Sequence, residues 1–440
     1  MHELSHEYTS KKISPWGGLK FFQQTYERSG VREDLLGAAL PQGGSNAAYK
    51  AIDLVEGFMV SAVLGSRRMA HTGMLRADEV IKELFNWKDG MASQSTFSRF
   101  FGKFTIEGND LLFSGLMRQW WSRMDIAKLT IDFDSTVLIR YGKQEGAQVG
   151  YDPQKHGRAS HHPLMAFCDE LKMVVNGWMR PGNTNDAKDV DNFLAQLLLI
   201  MPAKKIGLLR GDSGFYGDTF FSQLEVEKIP YIIRAKLTSV LLEKVMDIGS
   251  WYADPAVFRD AEYAEMRFKA TGWEKSRRAI VVRRPRKVEG AKDGVLFKDE
   301  LLRTQYDITV YITTTDLPAS KVHSLYNQRG DCENRIKELK YDYGMDGFAM
   351  KSIGATEAAF RFILLAYNIM ALFKQKVMTG PVKHQLSTIR FQCIAIGSYL
   401  VKNGRNKVMK LSAEGKRKHF LEHFFDQVEF LNPPFIFSTA

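Results

Sequence analysis

The run Leu129-Thr130-Ile131-Asp132-Phe133-Asp134 alternates strictly between apolar and polar side chains. Successive side chains of a β-strand point to opposite faces, so this is a strand that places Leu129, Ile131 and Phe133 on one face and Thr130, Asp132 and Asp134 on the other. Ser135 to Ile139 prolong it. The strand marks where the chain leaves helix for sheet, and it presents two carboxylates on a single face.

Before it, residues 1 to 125 read as helical. Ser45 to Leu64 carries apolar positions at helical spacing, Leu75 to Phe85 is amphipathic, and Leu111 to Met124, with Trp120-Trp121, covers core. Asn86-Trp87-Lys88-Asp89-Gly90 breaks the pattern, and Ser93 is placed to cap a helix beginning Gln94-Ser95-Thr96. Helix, glycine turn and polar-fronted helix are compatible with a helix-turn-helix, which favours DNA binding here, with Arg99 among its contacts.

After the strand, Leu164 to Cys168 and Lys172 to Met179 form a hairpin around Asp169-Glu170. Asp186 to Ile200 is a helix striped with Val190, Phe193, Leu194, Leu197 and Leu198. A short apolar strand from Ile206 ends at Asp212, which has a glycine on one side and another two residues on; helix Thr219 to Glu227 and strand Tyr231 to Ile233 follow. Three antiparallel strands, then helix, strand, helix and strand, describe an α/β layer. From 238 to 304 strand-like pieces alternate with basic clusters, which reads as an inserted β-rich subdomain. Asp307 to Thr313 returns to strand, Ser320 to Lys340 is a helix, and 355 to 375 is an apolar helix. The tail carries a basic segment, Lys402 to Lys410, and an aromatic helix, His419 to Phe430. The expected layout is a helical N-terminal DNA-binding domain (1–125), an α/β core in two parts (126–237 and 305–375), the insertion (238–304) and a mainly helical C-terminal region (376–440).

Composition narrows the partner. Lysine and arginine outnumber acidic residues 61 to 50, a net charge of +11, and the isoelectric point is about 9.3. A chain this basic is a candidate for polyanion binding, nucleic acid first. In the insertion, Arg277, Arg278, Arg283 and Arg284 interleave with Trp251 and Trp273, which favours a DNA surface. Lys155, His156 and Arg158 form a smaller basic loop. Cys168, Cys332 and Cys393 show no CxxC pairing, which argues against structural zinc or a disulfide framework and suits a reducing cytosol. The polar start lacks a signal-peptide core, and the apolar stretch Phe362 to Phe373 reads as too short to span a bilayer, so a cytoplasmic protein without a membrane segment is expected.

Wound at roughly 100° per residue, Tyr326 to Lys340 aligns Tyr326, Arg329, Glu333, Lys337 and Lys340 in one stripe beside an apolar stripe of Leu325, Cys332, Ile336 and Leu339. Alone this is an ordinary charged helix face. With a strand-borne Asp and a second Asp at a later strand end, Glu333 completes a set of three carboxylates. Such a set can clamp two divalent cations about 3.5–4 Å apart for phosphoryl transfer. Hard oxygen ligands suit Mg²⁺ or Mn²⁺. Asp132 and Asp134 compete for the first position, since both face the same side.

Asp132-Phe133-Asp134-Ser135-Thr136, Arg210-Gly211-Asp212-Ser213-Gly214-Phe215 and Tyr326-x2-Arg329-x3-Glu333-x6-Lys340 resemble the three signature blocks of bacterial insertion-sequence DDE transposases, of the group 1 type with a Tyr-Arg-Glu-Lys signature. Ile13 to Leu19, Gly150-Tyr151-Asp152-Pro153 and Arg180-Pro181-Gly182-Asn183-Thr184 resemble that family's further motifs, so the likeness covers nearly the whole chain. It implies an RNase H-like core interrupted by the β-rich insertion, and cut-and-paste DNA transposition in the bacterial cytoplasm, at the nucleoid. Asp134, preferred over Asp132 because it directly precedes the Ser-Thr pair, would bind two Mg²⁺ or Mn²⁺ ions with Asp212 and Glu333. Tyr326, Arg329 and Lys340 would hold DNA phosphates; Lys337 joins them from helical geometry alone. The resemblance further implies double-stranded DNA partners (inverted-repeat ends and target), a homodimer in a paired-end complex, and a hairpin at the transposon end in which Trp273 or Trp251 could hold a flipped base. No organic cofactor is expected. Two alternatives stand beside it: a catalytically silent DNA-binding relative, and a non-transposing RNase H-like nuclease.

Overall fold

The computed structural model describes residues 4–150, 156–286, 305–378 and 384–437. The chain divides into two compact units, one of Met1–Asp125, Ile139–Ala147 and Ile336–Phe437, the other of Ile126–Leu138 and Gln148–Arg335.

The second unit is built on a nine-stranded mixed sheet. Its strands are β1 (Leu129–Ser135), β2 (Leu164–Cys168), β3 (Met173–Trp178), β4 (Ile206–Gly211), β5 (Tyr231–Arg234), β6 (Tyr252–Asp254), β7 (Phe258–Phe268), β8 (Arg277–Pro285) and β9 (Tyr306–Thr313), with helices α1 (Val190–Ile200), α2 (Asp218–Val226), α3 (Ser239–Met246), α4 (Ala319–Asn327) and the part through Arg335 of α5 (Asp331–Tyr341). The spatial order is β6-β7-β8-β9-β5-β4-β1-β2-β3. The pairs β1–β4 and β4–β5 are parallel, and the others are antiparallel. The alternation of β1 does its work: Leu129, Ile131 and Phe133 are buried, and the Phe133 ring sits 5.2 Å from Phe193 of α1 and 5.8 Å from Phe220 of α2.

Residues 252–285 depart from the expected separate subdomain. Their strands pair in sequence onto β9, which itself pairs with β5, so they lengthen the same sheet. Their inner residues Ala261, Tyr263, Ile280 and Val282 share a core with Ile232 of β5 and Val322 of α4. The expected helix from Ser320 to Lys340 is two helices joined by a 3₁₀ turn, Gln328–Gly330.

In the other unit, the N- and C-terminal segments of the chain pack together rather than forming separate domains. Its centre is the helix Ile353–Lys376, buried from Gly354 through Phe373. At 24 residues this helix is long and apolar enough to cross a membrane, contrary to the sequence reading, but its apolar stretch is wholly buried in the protein. Ser93 caps Gln94–Phe101 as expected, accepting from the Thr96 N–H, while Asp78 caps the shorter helix Glu79–Leu84. The basic tail segment is a β-hairpin, Ser398–Asn403 with Asn406–Leu411, and Ile13–Ser14 adds to its edge. The neighbouring glycines fit by contact: a Cβ on Gly18 would lie 1.6 Å from Cys393 O, and one on Gly17 2.6 Å from Leu411 Cδ2.

Candidate active site

Strand pairing brings the first two candidate carboxylates together. In the parallel pair β1–β4, Asp132 lies opposite Arg210 and Phe133 opposite Gly211. The next residue of each segment, Asp134 and Asp212, therefore emerges at the same carboxyl edge of the sheet, where α/β proteins build ligand sites.

Arg329 meets both carboxylates. Its Nη2 is 3.1 Å from Asp134 Oδ1 and 3.7 Å from Asp212 Oδ2, and donates to Phe133 O at 2.8 Å. The backbone orients each acid as well: the Ser135 N–H donates to Asp134 Oδ1 at 2.9 Å, and the Gly214 N–H to Asp212 Oδ1 at 2.8 Å. Burial pushes the Asp134 carboxyl up to about 6, with Arg329 pulling it down and Asp212 pushing it further up. Burial works to lower the Arg329 pKa, but Asp134, Tyr326 and Asp212 together hold it above the ordinary arginine range. The Tyr326 hydroxyl is pushed up to about 12, chiefly by burial, and its charge balance includes Arg329 and both aspartates. Its ring packs 4.6 Å from Tyr311. Tyr326, Arg329, Asp134 and Asp212 thus form one electrostatic group.

A cationic group already contacts both aspartates, and their hard oxygen donors are those that suit a divalent ion of the Mg²⁺ or Mn²⁺ type. Asp134 and Asp212 supply donors of the kind such an ion takes, and the Arg329 guanidinium lies against both. Glu333 stands four residues beyond Arg329, exposed on α5. Among the described residues no three His, Cys, Asp or Glu side chains gather closely enough to hold a metal. The division between the two units falls inside α5, after Arg335. Lys337, exposed, and Lys340, half-buried, lie beyond it.

The competitor Asp132 is spent elsewhere. It is fully buried against Arg210, with Nε 2.6 Å from Oδ1 and Nη2 2.8 Å from Oδ2. Arg210 also donates to Leu325 O at 2.5 Å and to Asp169 Oδ2 at 2.9 Å. Asp169, which reads in sequence as a simple turn residue, is a hub: Lys172 Nζ lies 2.6 Å and Arg335 Nη2 2.7 Å from its Oδ1. Burial opposes its charge, yet Lys172, Arg210 and Arg335 hold its carboxyl below the usual range. Arg335 and Lys172 both reach Asp331 as well, at 3.1 and 3.0 Å. Cys332 donates to Asp132 Oδ2 at 3.3 Å. This network ties the start of α5, two residues either side of Glu333, to β1, β2 and β4. The one legible hint was Arg210 itself, a charged residue in an apolar strand, which demands a partner.

The four arginines expected to face DNA, Arg277, Arg278, Arg283 and Arg284, have partners on neighbouring strands and helices. Arg277 is buried between Asp218 and Glu225. Arg278 pairs with Glu265 at 2.8 Å and Arg283 with Glu262 at 2.7 Å. Arg284 lies over Phe258 and donates to His323 Nε2 at 3.1 Å. Trp273 is buried among Tyr216, Phe221 and Phe268, so its ring is core rather than a platform for a base. Trp251 is half-buried beneath Arg283, whose guanidinium is 4.0 Å from its ring. Arg158 and Arg99 are exposed; Lys155 lies outside the described residues, as does Lys287. Two of the further motifs meet each other: a Cβ on Gly150 would lie 1.8 Å from Gly182 O, so both loops need their glycines for close approach.

The model of a family described as transposase DDE domain, group 1, matches residues 2–433. No curated protein is matched. Among solved structures, the chain is similar to one described as the piggyBac transposase synaptic complex with hairpin DNA, at 11% identity and a TM-score of 0.42, over 97% of this chain and 87% of that one. The match from one end of the chain to the other makes this protein a member of the group 1 DDE transposases.

Proposed function

We propose that this transposase binds the terminal inverted repeats of its own mobile element, cleaves DNA strands there and joins the freed 3′-hydroxyls to target DNA, working as a homodimer in the bacterial cytoplasm. The observation that carries this reading is the convergence of Asp134 and Asp212 on Arg329 at the carboxyl edge of two parallel strands. The sheet order β3-β2-β1-β4-β5, a meander beside a parallel pair, supports an RNase H-like core. Asp134 and Asp212 would hold the divalent ions, with Glu333 of α5 as third ligand. Such ions, when bound, activate water for attack on a phosphodiester and neutralise the leaving oxygen.

The chain's own residues supply the rest. Asp132, neutralised by Arg210, is withdrawn from the edge and leaves Asp134 as the acid that faces it. Arg329 and Tyr326 are placed to bind phosphate oxygens beside the two aspartates, and electrostatic stabilisation of this kind is a major part of phosphoryl-transfer catalysis. Lys337 and Lys340 would extend that grip along the DNA, and a hairpin at the transposon end would complete the cut-and-paste cycle.

The test uses a supercoiled plasmid carrying the gene with the DNA that flanks it in its source genome, incubated with the protein and Mg²⁺ or EDTA. Metal-dependent cutting at the flanking repeats is expected, lost in Asp134→Asn, Asp212→Asn and Glu333→Gln while DNA binding persists. Binding without cutting by the wild type would instead identify a silent relative, and cutting that survives Asp134→Asn would refute the site.

A further inference from the structure

The loop between β3 and α1 carries Arg180-Pro181-Gly182-Asn183-Thr184 and Asp186, which lie outside the group of Asp134, Asp212, Tyr326 and Arg329. It is held firmly. Buried Arg180 donates from Nη1 to Asn185 O at 3.2 Å, Asp186 O at 3.4 Å and Lys188 O at 3.0 Å, and from Nε to His162 O at 3.1 Å. The His162 ring pins the same loop, since Nδ1 lies 2.6 Å from Thr184 O, a group that can only accept.

This scaffold delivers the Asp186 carboxylate between Ser135 and Gly214. On one side, Ser135 Oγ donates to Asp186 Oδ1 at 2.5 Å, with His162 Nε2 lying 3.0 Å from Ser135 Oγ and 3.4 Å from Asp186 Oδ1. On the other side, Asp186 packs against Gly214 so tightly that a Cβ there would lie 2.3 Å from Oδ2, 2.6 Å from Cβ and 2.7 Å from Cγ. Gly214 is absent from the positive-φ glycines, so contact rather than backbone conformation excludes a side chain. Ser135 and Gly214 are the residues whose N–H groups hold Asp134 and Asp212. One carboxylate therefore braces both holders.

We infer that Asp186 is a positioning residue that sets the separation and orientation of Asp134 and Asp212, acting through Ser135 and Gly214. The inference rests on the reading of those two aspartates as the metal-binding pair. It also gives Gly214 and the Arg180 loop a common purpose: the glycine makes room for the brace, and the loop carries it. Groups that orient metal ligands typically change affinity or activity 10- to 100-fold when lost.

The experiment measures binding of Mn²⁺ alone, from the loss of the free-ion EPR signal, beside cleavage of the supercoiled plasmid. Asp186→Asn keeps the size of the side chain and removes its charge; it is expected to weaken Mn²⁺ binding and cleavage about 10- to 100-fold with the thermal melt unchanged. Gly214→Ala is expected to do the same by steric displacement. In an Asp186→Gly background the added methyl has space, so Gly214→Ala should then cost nothing further. Should Asp186→Asn melt early, this pairwise comparison decides. Wild-type Mn²⁺ binding and cutting by Asp186→Asn, or a Gly214→Ala effect that is the same with and without Asp186, overturns the inference alone. A wild type whose Mn²⁺ binding is untouched by Asp134→Ala overturns the reading of the site, and the brace with it.

Discussion

The sharpest test of the fold is Asp132→Ala. Asp132 and Arg210 are both fully buried and share two hydrogen bonds. Removing the carboxylate strands a guanidinium in the core, which costs about 3–5 kcal/mol when a buried pair is broken. Arg210 keeps Asp169 Oδ2 at 2.9 Å and Leu325 O at 2.5 Å, so the low end applies. A cost of about 3 kcal/mol corresponds to roughly a 150-fold change in an opening equilibrium. Hydrogen exchange of peptides covering 129–135 and 206–211 reads that equilibrium directly, where a whole-protein melt would mix two units. Replacing both partners, Asp132→Leu with Arg210→Met, should recover most of the loss, because apolar replacement of a buried pair is often neutral and Asp169 still has Lys172 and Arg335. Exchange in Asp132→Ala within tenfold of wild type, or a double variant worse than the single, would refute the reasoning.

Two other perturbations follow from the same geometry. The folded-state pKa of Asp134 is raised to about 6, burial being the main cause. A raised carboxyl favours folding fully below its unfolded value of about 4, and that contribution is lost as pH rises through about 6. Asp134→Asn, a mimic of the protonated acid, should therefore match wild type near pH 4 and exceed it by about 3 kcal/mol at pH 7.5, read by thermal melts across that range; equal stability at both pH values would count against it. Mn²⁺ affinity should fall below about pH 6 as protons compete for the same oxygen. Gly18→Ala would drive a methyl into Cys393 O and should destabilise its unit by about 3 kcal/mol or more. Gly37→Ala, which meets open space, is the matched control; a Gly18 variant that melts like it would mean the contact is easily relaxed.

Several elements were legible because their signals are local. The alternation of Leu129 to Asp134, the Asp169-Glu170 turn between β2 and β3, and the Ser93 cap each depend on residues within a few positions. The tail hairpin carries such a signal too, Gly404 at φ +63 in the two-residue loop Gly404-Arg405 between Asn403 and Asn406. The fate of residues 252–285 had none. Whether strands form their own sheet or extend another depends on which edge accepts them, and β9, more than twenty residues further on, supplies that edge.

The site divides along the same line. The identities of Asp134, Asp212, Arg329 and Glu333, their order and their spacing stand in the chain itself, as does the hard-oxygen chemistry they offer. Tertiary structure decided how each one is used. Register opposite Arg210 turned Asp132 into a buried counter-ion, and the parallel pairing of β1 with β4 brought Asp134 and Asp212 to one edge. Burial then chose among the cations, enclosing Arg277 among acids while setting Arg329 against the two aspartates. A charged side chain carries the same label in the sequence whether it faces water, a carboxylate or a phosphate. Only the partners that folding delivers, from dozens of residues away, determine which of these it meets.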